Sequence, residues 1–177
     1  MTLALMGNNL AERLTDRDWP ESTASMSAGL RTTLSEGERE HRFRCQGGKI
    51  VITVGRDTPA WMVPTTKALV ELLSLPPNWD TYGASRIDPT YIPAVLQLLL
   101  GVMQGETPLP AVVPTSRGGI QLEWHTRGID LEVEFASPFR VLGLYEDLRS
   151  DRRWEAELTF DLTPLARAIA QLTERAS

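Results

Sequence analysis

The chain has 177 residues, 42% hydrophobic and 23% charged, with a formal net charge of −5, the composition of an ordinary globular protein whose length favours one core. Only two lysines occur, Lys49 and Lys67, and this acidic, arginine-dominated balance argues against a general nucleic-acid coat, whose affinity comes from clustered Lys and Arg. The single cysteine, Cys45, excludes an internal disulfide and a thiolate zinc cluster, and no apolar run nears the ~20 residues of a membrane span.

A reducing cytoplasm is the location this pattern suggests, and the opening Met1 to Met6 lacks the basic flank of a signal peptide. Residues 1–40 read as a flexible N-terminal arm. They hold few large apolar side chains to offset the entropy of ordering, with Trp19, Met26 and Leu30 as isolated anchors.

From His41 the pattern turns to alternation. Phe43 and Cys45, then Gly47-Gly48, then Ile50, Ile52 and Val54 predict a hairpin about a Gly-Gly turn. Pro64 opens a helix carrying Leu69, Val70, Leu72 and Leu73, and Pro76-Pro77 stops it. Asp88 before Pro89 caps a second helix. Its Ile92, Val95, Leu96, Leu99 and Met103 recur at helical spacing, and Leu98, Leu100 and Val102 make it apolar on most of its circumference. Such a helix lies between layers or under another chain.

A Pro-rich linker over Thr107 to Pro110 precedes the clearest sheet signal. Ile120, Leu122 and Trp124 alternate with Gln121, Glu123 and His125; past a Thr126-Arg127-Gly128 turn, Ile129, Leu131, Val133 and Phe135 alternate with Asp130, Glu132 and Glu134. This predicts a ribbon with one dry face and one acidic face. Arg140 to Glu146 and Trp154 to Phe160 supply two more strands, and Thr163-Pro164 starts a last helix that buries Leu165, Ile169 and Leu172. The order hairpin, two helices, meander, helix describes an α+β domain over residues 41–177. Its antiparallel sheet, of about four to six strands, packs against two central helices and a C-terminal helix.

Two loops and one face are candidate sites. Asn78, Trp79, Asp80, Tyr82, Ser85 and Arg86 join aromatic surface to donors and acceptors, as binding hot spots do, or else staple the connection between the helices. Pro114 to Gly119 sets two glycines beside Thr115, Ser116 and Arg117. This suits an anion-binding turn or a tight entry into the strand, and it matches neither a Walker nor a dinucleotide fingerprint. Glu123, Asp130, Glu132 and Glu134 share one sheet face, with Glu155 or Glu157 as further candidates. That face is a solvated surface, a dock for a basic partner or a divalent-cation site, the last being disfavoured because carboxylates diverge along a flat ribbon. A triad of Ser116, His125 and an acid can be drawn on paper but has no supporting spacing.

The stretches Leu75-Pro-Pro-Asn-Trp-Asp-Thr-Tyr-Gly-Ala84 and Val112-Val-Pro-Thr-Ser-Arg-Gly-Gly-Ile-Gln-Leu-Glu-Trp124 resemble a widespread, largely uncharacterised bacterial family. The resemblance covers about Leu69 to Glu146 and implies no activity, cofactor or catalytic residue. Its members resemble small accessory proteins of mobile or defence-type gene neighbourhoods, which implies a protein-binding role.

The expectation is a non-enzymatic, cytoplasmic interaction or regulatory subunit of antitoxin-like or defence-accessory kind, with no cofactor or metal. It binds a protein partner, encoded by a neighbouring gene, through Trp79, Asp80, Tyr82, Arg86, Glu123, Asp130, Glu132 and Glu134. Self-association stays open, and neither nucleic acid nor membrane is a direct partner. The competing reading is a small-ligand binder or hydrolase with a pocket between the Asn78–Arg86 and Thr115–Gly119 loops, which requires those loops to meet.

Overall fold

The computed structural model describes residues 2–4, 39–45, 48–56 and 58–175. Chain order is β1 (Thr2–Ala4), β2 (Arg39–Cys45), β3 (Gly48–Val54), α1 (Met62–Leu72), α2 (Tyr91–Val102), β4 (Ala111–Pro114), β5 (Ile120–Thr126), β6 (Ile129–Ser137), β7 (Arg140–Asp147), β8 (Arg152–Glu157) and α3 (Thr163–Glu174). The strands form two sheets, a five-stranded antiparallel meander in sequential order β4 to β8 and a small sheet ordered β1-β3-β2. The protein is α+β.

The hairpin β2–β3 pairs antiparallel from Arg39 opposite Val54 to Cys45 opposite Gly48. The expected arm contributes a strand at its start, since Thr2–Ala4 runs parallel along β3 with Leu3 opposite Ile52. Backbone pairing to a free strand edge needs few large side chains, so composition does not reveal it. The rest of the arm, with Trp19, Met26 and Leu30, lies outside the described residues.

Helix α1 begins two residues before Pro64. The Met62 N–H bonds to the Pro59 carbonyl at 3.0 Å and the Thr65 N–H to Trp61 at 3.1 Å, so the first turn forms upstream and Pro64 sits inside it, where a missing N–H is tolerated. At α2, Asp88 Oδ1 accepts the Thr90 N–H at 2.8 Å and the Thr90 hydroxyl at 2.7 Å, which fastens the chain just before Tyr91. Tyr91, Ile92, Val95, Leu96, Leu98 and Leu99 are buried, while Leu100 is partly exposed. The apolar girth of α2 is explained by its position, in contact with α1, α3 and β6.

The meander carries the core on one face. Ile120, Leu122, Trp124, Ile129, Leu131, Val133 and Phe135 are essentially sealed, and α3 adds Leu165, Ala168, Ile169 and Leu172. The β5–β6 turn uses two left-handed residues, Arg127 (φ 56°) and Gly128 (φ 72°), as a two-residue hairpin requires. Strand β8 starts two residues earlier than the apolar pattern implies and ends at Glu157. Strand β4, between Pro110 and Pro114, is an addition that the sequence pattern hides: four residues ending in proline are acceptable only on a sheet edge, and β4 is an edge.

Asp147 fixes the C-terminal helix. Fully buried at the end of β7, its carboxylate accepts two bonds from Arg175, at 2.8 and 2.9 Å, one from Ser150 at 2.6 Å and one from Gln171 at 3.0 Å. Arg127 donates to the last carbonyls of α3, those of Leu172 and Thr173. These bonds satisfy groups that a helix end leaves open.

Candidate interaction surface

The loop from Asn78 to Arg86 is held by its own polar groups. Asn78 (φ 62°), Thr81 (φ 67°) and Gly83 (φ 95°) take the left-handed conformation that lets the chain reverse tightly. The Asn78 N–H reaches the Ala84 carbonyl at 2.7 Å, and Asn78 Oδ1 accepts the Gly83 N–H at 2.6 Å. Asp80 Oδ1 accepts the N–H groups of Tyr82 (2.8 Å) and Ala84 (3.0 Å). Asn78 and Asp80 thus clasp the loop. Trp79 is half-buried, with its indole N–H enclosed and unpartnered among the described residues. Tyr82, by contrast, is 92% exposed.

The Asn78–Arg86 and Thr115–Gly119 loops meet. The Ser85 N–H donates to the Ser116 carbonyl at 2.9 Å, and a Cβ placed on Gly118 (φ 83°) would lie 2.6 Å from the Arg86 carbonyl oxygen. A Cβ on Gly119 would lie 2.5 Å from the Phe135 carbonyl oxygen. Thr115 closes the turn, its hydroxyl accepting the Gly119 N–H at 3.0 Å. Both glycines are needed because backbone packs on backbone, and at Gly118 there is less room than one methyl group. The contact between the loops is a joint.

On the meander, register assigns the outward face row by row. Glu123 opposes Glu132, then Leu144, then Glu155; Gln121 opposes Glu134, then Leu142, then Glu157; His125 opposes Asp130, then Glu146, then Arg153. Glu123, Asp130, Glu132 and Glu134 therefore stand together, and Glu146, Glu155 and Glu157 join them. These seven carboxylates share the face with His125, Arg153 and Arg140, the last of which lies 3.8 Å from Glu157. At its centre Leu144 is 44% exposed.

Two side chains moderate the repulsion. Gln121 Nε2 donates to Glu123 at 2.9 Å and to Glu132 at 3.1 Å. His125 lies between carboxylates, its Nδ1 3.1 Å from Asp130 and its Nε2 3.4 Å from Glu123. The bond to Asp130, helped by Glu123, raises the His125 pKa above its usual value. This arrangement was readable from the two-residue turn, which sets residue 125 opposite 130. Ser116 precedes β5 and His125 sits near the strand's far end, with about 17 Å of strand from Ile120 to His125 between them, so the paper triad is not assembled.

Trp79, Asp80, Tyr82 and Arg86 thus sit on the loop joined to the β4–β5 turn, whereas the four acidic candidates lie on the open sheet face. Among the described residues no group of three or more His, Cys, Asp or Glu side chains is placed to hold a metal ion, and no helix is long and apolar enough to cross a membrane. No protein-family model, curated protein or solved structure matches the chain.

Proposed function

We propose that the protein is a non-enzymatic interaction subunit whose acidic sheet face docks a basic protein partner. The observation that carries this reading is the outward row Glu123, Glu132, Leu144 and Glu155: an exposed apolar centre between carboxylates on neighbouring strands. Apolar centre and charged rim is the anatomy of a recognition patch. Like charges directly opposite on a sheet oppose folding by up to ~1 kcal/mol, so the Glu123–Glu132 pair is not a device for stability. In a basic partner's field the same pair becomes favourable and steers encounter.

The Tyr82 loop supplies a second, aromatic contact, with Asp80 shaping the loop and Trp79 anchoring it. Kinship with the bacterial family of the two signature segments, an antitoxin-like or defence-accessory role and a partner encoded nearby belong to the same proposal. Co-expression with the adjacent gene tests it: wild type should co-purify with that gene's product, and the double variant Glu132→Lys/Glu155→Lys should lose it while keeping its circular dichroism and Tm. Equal retention by wild type and variant, or none by wild type, rejects the docking face.

A further inference from the structure

Between the inner side of β7–β8 and α3 lies a cleft of about 720 Å³, a volume typical of small-molecule sites. Its helical wall is the stripe Pro164, Arg167, Ala168 and Gln171, spaced i, i+3, i+4 and i+7 along α3. Its sheet wall is Arg152, Trp154 and Tyr145. The two rings stack with centroids 5.6 Å apart and planes 12° from parallel. Gly143 makes this possible, because a Cβ there would come within 2.9 Å of the Trp154 ring and 2.6 Å of Leu158.

The wall is ordered from behind. The Tyr145 hydroxyl donates to Gln171 at 2.9 Å, and the Gln171 amide donates to the buried Asp147 at 3.0 Å. A ligand entering the cleft would therefore meet a preformed aromatic surface and lose little to reorganisation.

Charge specifies the ligand. Arg152 and Arg167 line the cleft, and neither forms a salt bridge among the described residues. Arg152 makes one bond, to Ser150 Oγ at 3.1 Å, which leaves guanidinium donors over. Asp151 and Asp161 also line the cleft, Asp161 accepting the Thr163 N–H at 2.9 Å and lying in the field of Arg167, so an anion is held locally by the guanidinium groups and not by a net positive cleft. Spare guanidinium groups beside a half-exposed indole suit an anion attached to a flat ring.

We infer that this cleft binds a small organic anion of the mononucleotide class, its ring against Trp154 and its phosphate on Arg152 and Arg167. The site is separate from the docking face, which lies on the other side of the sheet. Adenosine 5′-monophosphate is the probe, with adenosine and inorganic phosphate as half-ligands, and binding to the full chain is followed by calorimetry and by the Trp154 indole NMR signal. The expected result is saturable binding that shifts that signal, at least about tenfold weaker for each half-ligand and for Arg167→Gln or Arg152→Gln. Arg149→Gln, outside the cleft, should bind as wild type does. Absence of binding at millimolar probe, inorganic phosphate binding as well as the nucleotide, or unchanged affinity in Arg152→Gln/Arg167→Gln overturns the assignment. The exposed arginines let these variants fold, which an unchanged Tm verifies.

Discussion

Gly118→Ala isolates the joint between the Asn78–Arg86 and Thr115–Gly119 loops. The new Cβ would sit 2.6 Å from the Arg86 carbonyl oxygen and 3.1 Å from the Ser85 Cβ, on a backbone with φ of 83°. The left-handed conformation costs a non-glycine residue ~1–2 kcal/mol, and overpacking against backbone that cannot rotate away adds ~1–3 kcal/mol. The sum, about 2–5 kcal/mol, corresponds to a fall in Tm of about 4–20 °C for a chain of this size. Gly101→Ala is the internal control, because nothing lies within 4 Å of its Cβ position and it is on α2; helix propensity there predicts a gain of about 0.5–1 kcal/mol. Differential scanning calorimetry of both variants decides the matter. A Gly118→Ala protein that melts within a degree or so of wild type would refute the tight backbone contact and reopen a space between the loops.

Three further outcomes follow from the same contacts. Trp79→Phe should stay within about 1 kcal/mol of wild type by urea unfolding, because the lost indole N–H is enclosed without a partner, whereas Trp79→Ala should cost about 3 kcal/mol through lost packing. His125 has a raised folded pKa, so its stabilising contribution is complete below the unfolded value near 6.5 and fades as pH rises through the folded one. The Tm gap between wild type and His125→Gln should therefore be larger at pH 5.5 than at pH 8.5, and an equal gap would deny the Asp130 contact. Asp147 behaves oppositely. The Arg175 guanidinium and the Ser150 hydroxyl hold its carboxyl far below the usual range, so its contribution is present above the unfolded value near 3.9 and is lost as pH falls toward the folded one. Asp147→Asn should lower Tm strongly at pH 7, by an amount that shrinks progressively as pH falls below about 4.

Periodicity made the meander legible. Ile120 to Phe135 alternates without a break because one face is dry, and a two-residue turn of Arg127 and Gly128 leaves a single register, so the acidic face was readable before any coordinates. Helix α3 was equally plain, since Thr163-Pro164 marks its start and its buried stripe has helical spacing. What stayed hidden depends on long-range backbone pairing or on side chains far apart in the chain. Thr2–Ala4 joins β3 through main-chain bonds that leave no trace in composition. Strand β4 is short and ends in proline. The Asp147–Arg175 pair spans 28 residues, and no local pattern announces it. The glycines at 118 and 119 showed a tight turn, yet that their partners would be the Arg86 and Phe135 carbonyls follows only from the packed fold.

Carbodiimide labelling of Glu132 and Glu155, read by mass spectrometry with and without the bound product of the adjacent gene, bears most directly on the docking face. Both carboxylates should label readily in the free protein and be strongly protected in the complex, while Glu106, outside the meander, labels alike in each state. Equal labelling of Glu132 and Glu155 in the two states would mean that the partner sits elsewhere and that the acidic face is ordinary solvated surface.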